Sequence, residues 1–193
     1  GSELSRELQK ADQDASRCKR IIDDLRTFAR RHELQKTPCD LNALIEKTLG
    51  LVGHEPALRG IRVVKGLADG LPSIFCDPDR IQQVLMNVLI NAIQAMEGGG
   101  TLTVKTGVRG GFVEIAVRDT GPGIPKEIRP RVFDPFFTTK KSGTGLGLSI
   151  SYGIVQEHSG RIEVESVAEE ELEAEGQPTG TTVRILLPIG GQP

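Results

Sequence analysis

"TLTVKTGVRGGFVEIAVRDTGPGIP", residues 101–125, decides the fold. Two runs of alternating apolar and polar residues, 101–108 and 112–119, flank Arg109-Gly110-Gly111. The alternation predicts half-buried strands, and the glycines between them predict a hairpin, so the sheet is antiparallel at this point. The second run ends on Asp119, with Gly121 and Gly123 close behind. A carboxylate at a strand end can accept a hydrogen bond from an exocyclic amine such as that of adenine. The glycines let backbone pass close to a flat ring.

Working outward, "DRIQQVLMNVLINAIQAM" (79–96) reads as a helix over 78–96. Ile81, Val84, Leu85, Val88, Leu89, Ala92 and Met96 form its apolar face, and Gln83, Asn87 and Asn91 stack on another face at a spacing of four. An Asn carbonyl oxygen suits a hard cation such as Mg²⁺, which keeps waters and shares phosphate oxygens. A second helix is expected over 147–158, and a third over 40–54 with Asp40 as its N-cap. Further strands are expected at 61–67, 73–77, 161–167 and 181–188, and the acidic stretch 168–180 reads as a solvated loop. The sum predicts an α+β, two-layer α/β sandwich: a mixed, mostly antiparallel sheet with about three helices on one face.

"KKSGTGLGLSI" (140–150) places Gly143, Gly145 and Gly147 at every second position ahead of the helix at 147–158. Leu148 stands where a dinucleotide fingerprint started at Gly143 would need glycine, and the Gly-Lys-Ser/Thr of a P-loop is missing. Backbone N–H groups at the start of that helix would instead meet a phosphate chain. "FDPFFTTK" (133–140), between the two glycine motifs, holds three of the six Phe residues and fits a hinged lid with aromatic anchors. Lys140 or Lys141 would reach phosphate oxygens as point charges. Thr181, in "GTTV" (180–183), would set a hydroxyl beside the base.

The N-terminal segment has a different period. Leu4, Leu8, Ala11, Ala15, Cys18, Ile22, Leu25 and Ala29 recur at 4-3-4-3-4-3-4, a heptad seam without Gly or Pro. It predicts one long helix, about 45 Å at 1.5 Å per residue, whose seam needs another chain or segment. Residues 33–39 read as a linker broken by Pro38, which divides the chain into 1–32, 33–39 and a domain over 40–190. The opening Gly1-Ser2 reads as a cloning remnant and the chain as a fragment. A net charge of −2 suggests no nucleic-acid partner, and the absence of Trp argues against a stacking platform for single strands. The three scattered cysteines form no framework, which fits a reducing cytoplasm.

Asn87 and Asn91, then Asp119-x-Gly121-x-Gly123, the Phe cluster, and Gly143-x-Gly145-x-Gly147, in that order, resemble the catalytic ATP-binding domain of bacterial sensor histidine kinases. These correspond to that family's N box, first glycine box, F box and second glycine box, and the texture is similar to its nitrogen-regulator-like branch. The resemblance spans about residues 40–190. It implies that Asn91 ligates Mg²⁺ with Asn87 assisting, that Asp119 binds the adenine amine, and that Gly121, Gly123 and Ile124 line the base pocket. Lys140 and the run Gly143, Thr144, Gly145, Leu146, Gly147 and Leu148 would serve the lid and the phosphates. Thr181 matches the family's last adenine-side threonine. Ala95 departs from the aromatic residue many members carry four positions after Asn91. The helix over 3–32 resembles the second helix of the family's dimerisation and phosphotransfer bundle, "DDLRTFARR" matching its usual ending.

The implied partners are ATP and ADP, the missing first helix of that bundle, a second copy of the full-length protein, and the aspartate of a response-regulator receiver domain. The implied place is the cytoplasm, with a parent protein that membrane anchoring would also fit. The acceptor histidine is expected to lie outside this chain. "HELQKTP", from His32, looks like an acceptor motif but sets Pro38 one residue too far on, at a helix end, with no room for a second bundle helix before Asp40. His54 and His158 read as structural or solvated. Other readings of the same fold stay open: an ATP-driven clamp, a serine-directed kinase of the anti-sigma type, or a pseudokinase that only docks. A clamp needs a carboxylate beside Asn91, where the helix offers only Asp79 and Glu97 near its two ends.

Overall fold

The computed structural model describes residues 34–53, 60–140, 143–168, 171 and 178–190. The heptad helix expected over 3–32, with His32, lies outside the described residues, as do His54 and Lys141. In chain order the elements are β1 (Thr37–Cys39), α1 (Leu41–Val52), β2 (Ile61–Gly66), β3 (Ile74–Cys76), α2 (Pro78–Ala95), β4 (Gly100–Arg109), β5 (Phe112–Arg118), α3 (Gly147–Glu157), β6 (Arg161–Val167) and β7 (Gly180–Pro188).

The main sheet has the order β2-β4-β5-β7-β6. β2 runs parallel to β4, and the other neighbours are antiparallel. The β4–β5 hairpin closes with Arg109 opposite Phe112, leaving Gly110-Gly111 as a two-residue loop, the length that suits right-twisted strands. β5 and β6 both run antiparallel to β7 and hence parallel to each other. Each parallel relation needs a crossover, since a hairpin cannot join strands of the same direction. α2 lies in the crossover from β2 to β4, and α3 in the one from β5 to β6. Both helices cover the same face, and α1 joins them there in one core with the inward residues Leu102, Val104, Val113, Ile115, Val117, Ile162, Ile185 and Leu187. The opposite face is polar and carries cross-strand ion pairs such as Arg109–Glu114 and Arg184–Glu165.

The helix ends follow from their residues. Asp40 caps α1 by accepting from the Ala43 N–H, and Asp77 caps α2 by accepting from Arg80 N–H, with Pro78 at the first helical position. The buried residues of α2 are those the spacing marks, with Ile93 added. The segment 33–39, linker-like in sequence, ends as a strand. β1 pairs antiparallel with β3, Pro38 opposite Phe75. Among the described residues two strands form that sheet, so both are edges and Pro38 can face its missing N–H outward.

His158, just beyond α3, is structural. It is buried at 3% exposure, its Nδ1 donates to Ile154 O at 2.7 Å, and its Nε2 accepts from Asp77 N–H at 2.9 Å. The ring must be neutral to do both, and burial lowers its pKa against the opposing pull of the Ile154 carbonyl. Because the folded value lies below the unfolded one, the contribution is complete above about pH 6.5. It is lost as pH falls through that value and on through the lower folded one. We predict that urea unfolding at pH 7.5 and 5.5 shows a smaller pH loss in His158→Gln than in the wild type. His158→Ala loses about 2 kcal/mol at pH 7.5. Parallel pH profiles for the wild type and His158→Gln would contradict this role.

Candidate nucleotide site

The site grows from the end of β5. Asp119 is 4% exposed on the face beneath the helices. Its backbone N–H donates to Thr181 O at 2.9 Å, which carries the β5–β7 pairing one residue further. Its Oδ1 accepts from Gly121 N–H at 2.9 Å and from Thr181 N–H at 3.2 Å. Both described bonds fall on one oxygen, which leaves Oδ2 for a donor from outside. Burial raises the Asp119 pKa above the ordinary carboxylate value, while the two backbone donors and Arg118 pull it back. The pocket thus holds a carboxylate at a cost, a pattern that points to function more than to stability.

The loop after Asp119 is pressed onto the sheet. Gly123 has φ +78°, and a Cβ there would stand 2.1 Å from Val167 O. Ile124 N–H donates to Ser166 Oγ at 2.7 Å, and Ile124 O accepts from Arg129 Nε at 2.7 Å. Arg129 in turn pairs with Glu171, so that residue of the acidic stretch meets this loop. Ala168, at the start of that stretch, is buried. Ser166 is a residue the motifs did not mark. Its hydroxyl also contacts Gly180 O at 3.0 Å and Thr181 Oγ1 at 2.9 Å. A serine near the end of a strand carries no sequence signal of this kind; the β6–β7 register, Ser166 opposite Thr181, reveals it.

The other wall comes from α2 and α3. Asn87 Nδ2 donates to Gly147 O at 3.1 Å and lies 3.3 Å from Ser151 Oγ, so its amide ties α2 to the first turn of α3. Asn91, one turn on, is held differently: its Oδ1 and Gln94 Oε1 each accept from the Lys140 ammonium at 2.8 Å. Lys140 as a residue is exposed, yet crowding around its ammonium lowers its pKa, and the field of Asp119 opposes that shift. Lys140 thus meets Asn91 within the field of Asp119, while Asn87, also on α2, stands against the first turn of α3.

Among the described residues no side chain caps α3 at Leu146, which leaves its first N–H groups suited to an anion. Leu146 is fully buried and Leu148 half-buried, which anchors that turn in the core. Gly145 has φ +71°, and a Cβ there would meet the Phe136 carbonyl carbon at 2.4 Å. Gly143 N–H donates to Lys140 O, and Leu146 N–H donates to Thr144 Oγ1. The aromatic anchors expected of the lid divide. Phe133 packs on the core and against Tyr152, with centroids 5.5 Å apart. Phe137 lies under the Arg131 guanidinium at 4.5 Å. Phe136 is not an anchor: it is 60% exposed, at φ +66°, a strained conformation for a bulky residue.

Two outcomes follow. Gly123→Ala must displace the Val167 carbonyl and adopt a left-handed backbone, which costs about 2 kcal/mol or more in thermal or urea unfolding. Asp119→Asn keeps an oxygen for the Gly121 and Thr181 donors and removes the buried charge. A folded pKa raised above the unfolded one gives stability at low pH that is lost as pH rises through the folded value. Asp119→Asn is therefore at least as stable as the wild type at pH 7, and its advantage vanishes toward pH 3. A clear loss of stability at pH 7 would contradict the assignment.

Residues 76–191 match the model of the histidine kinase-, DNA gyrase B-, and HSP90-like ATPase family. The chain is 37% identical over 189 residues to the sensor histidine kinase ZraS of Escherichia coli K12, covering 98% of this chain and 39% of that protein. It thus spans about two fifths of the length of that relative. It superposes on the catalytic domain of the histidine kinase ThkA with a TM-score of 0.68 at 30% identity, over 82% of this chain and 97% of that one. On ThkA in complex with the response regulator protein TrrA the TM-score is 0.77 at 27% identity, over 97% and 52% of the two chains. With the family model covering α2 to β7, the chain belongs to the histidine kinase-, DNA gyrase B-, and HSP90-like ATPase family and, within it, is similar to the sensor histidine kinases.

Proposed function

We propose that this chain is the catalytic half of a protein-histidine kinase. It binds ATP, with ADP as the product, and presents the γ-phosphate to a histidine on a bundle helix that this chain does not carry. The phosphate then passes to an aspartate of a response-regulator receiver domain. The observation that carries the reading is the buried Asp119 carboxylate, with Oδ1 held by two backbone donors and Oδ2 left for the adenine amine. The triphosphate would run toward the open start of α3, past Gly143, Gly145 and Gly147, with Lys140 as a mobile countercharge. Relatives named as sensor histidine kinases, and a solved relative in complex with a response regulator, support this direction of transfer.

Mg²⁺ fits the residues present. Asn91 Oδ1 and Gln94 Oε1 already hold a positive group, the Lys140 ammonium, and neutral amide oxygens are ligands such a cation accepts. Among the described residues no cluster of three or more His, Cys, Asp or Glu side chains could hold a metal, so Asn91 would share the ion with phosphate oxygens. When bound, Mg²⁺ supplies charge neutralisation of the triphosphate. Lys140 would then leave Asn91 for phosphate. In the full-length protein, two copies of the helix over 3–32 would pair with the first helices in a four-helix bundle. The site would work in the cytoplasm, the compartment that the scattered cysteines suggest. Among the described residues no helix is long and apolar enough to cross a membrane.

The clamp reading is weaker. Asp79 lies in the first turn of α2, about 18 Å along the axis from Asn91, and Glu97 lies beyond the C-cap Met96. Neither stands beside the expected metal ligand to activate water. The test is incubation with Mg²⁺ and γ-labelled ATP. We expect this chain alone to bind nucleotide without covalent label. A longer chain with the preceding bundle helix should gain acid-labile phosphate, and Asp119→Asn should lower ATP affinity at least tenfold, since its amide N–H₂ would face the adenine amine. Steady phosphate release without label would support the clamp, and no bound nucleotide would end the proposal.

A further inference from the structure

Ser166 Oγ makes three hydrogen bonds and has one proton. Ile124 N–H donates to it at 2.7 Å and uses one lone pair. The Gly180 carbonyl, 3.0 Å away, can only accept, so the Ser166 proton goes there. Thr181 Oγ1, 2.9 Å away, must then donate its own proton to the remaining lone pair of Ser166. No other assignment satisfies all three contacts. Thr181 is left with an oxygen whose proton is spent, so it offers the pocket lone pairs only.

Thr181 and Asp119 are neighbours. Asp119 N–H donates to Thr181 O, and Thr181 N–H donates to Asp119 Oδ1. Both lie on the helix-covered side at one end of the sheet and both are buried. The rim they form has two acceptors, a carboxylate and a proton-spent hydroxyl, and no side-chain donor. Such a rim favours an incoming N–H₂ and opposes a carbonyl.

We propose that Ser166 is a positioning residue that determines base specificity: by fixing the direction of the Thr181 hydroxyl proton, it sets the pocket to prefer a 6-amino purine over a 6-keto purine. The proposal rests on the reading that the base edge meets Asp119. It concerns the proton order behind that contact and not the contact itself. In Ser166→Ala, Thr181 regains a free proton and can turn it into the pocket as a donor for a keto group. Ser166→Thr retains the hydroxyl and the proton order.

The test compares the dissociation constants of Mg-ATP and Mg-ITP, which carries a keto group at position 6 and a proton on N1, for this chain and its variants. The ratio of the two constants within one preparation does not depend on the folded fraction. We expect the wild type to favour ATP, Ser166→Ala to shrink that preference about fivefold to tenfold chiefly through tighter ITP binding, and Ser166→Thr to restore it. Should Ser166→Ala fail to fold, Thr181→Val removes the rim's hydroxyl acceptor outright and is expected to shrink the ratio likewise. An unchanged ratio in Ser166→Ala, or in Thr181→Val, overturns the proposal, as does a Ser166→Thr variant that behaves like Ser166→Ala. Equal wild-type affinity for ATP and ITP overturns this inference while leaving the nucleotide site in place. Failure of the wild type to bind either one overturns the site and the inference together.

Discussion

The constraint from which the site is built is the burial of one carboxylate. An ionised Asp119 taken out of water needs donors at once, and two backbone N–H groups supply them, from Gly121 and Thr181. Those donors exist only if β7 lies beside β5 and if the chain turns sharply after Asp119. The β5–β7 register meets the first need. The left-handed Gly123, pressed against Val167, meets the second. The two crossovers that stack α2 and α3 on the same face then close the space above the carboxylate, and the core they share is what keeps that space in shape.

The same economy governs the other wall. α2 uses its apolar face for the core and its amide face for the site, and two of those amides do different work. Asn87 ties α2 to the uncapped start of α3, which keeps open N–H groups at a fixed distance from the sheet. Asn91 holds a cationic group, here the Lys140 ammonium. At the far end of α3, His158 binds the Asp77 N–H at the root of α2, so both ends of α3 are pinned to the same helix. Ahead of α3, Phe136 is exposed and holds a left-handed backbone.

Much of this was legible in the sequence because its signals are local. Alternation over 101–119, the capping Asp40, and the 3.6-residue period of 79–96 each act within a few residues, and the elements fall where those signals place them. Asp119 and the glycines were legible for a similar reason: a strand-ending carboxylate followed by spaced glycines is an uncommon local pattern. What stayed hidden depends on contacts across the chain. β1 was concealed because Pro38 argues against a strand unless the strand is an edge, and its partner β3 lies far along the sequence. Ser166 was concealed because its importance comes from Ile124, Gly180 and Thr181, two of them on another strand and one on a loop. The contact of Asn87 with α3, and of Lys140 with Asn91, depends on how helices and loop pack, which no spacing encodes.

The measurement that tests the central claim most directly is a crystal structure of this chain grown with Mg²⁺ and a non-hydrolysable ATP analogue. The account predicts the adenine amine within hydrogen-bond reach of Asp119 Oδ2, the triphosphate at the start of α3, the metal on Asn91 Oδ1, and the Lys140 ammonium moved from Asn91 to phosphate. A base seated away from Asp119, or a triphosphate that leaves the Lys140–Asn91 contact intact, would contradict it.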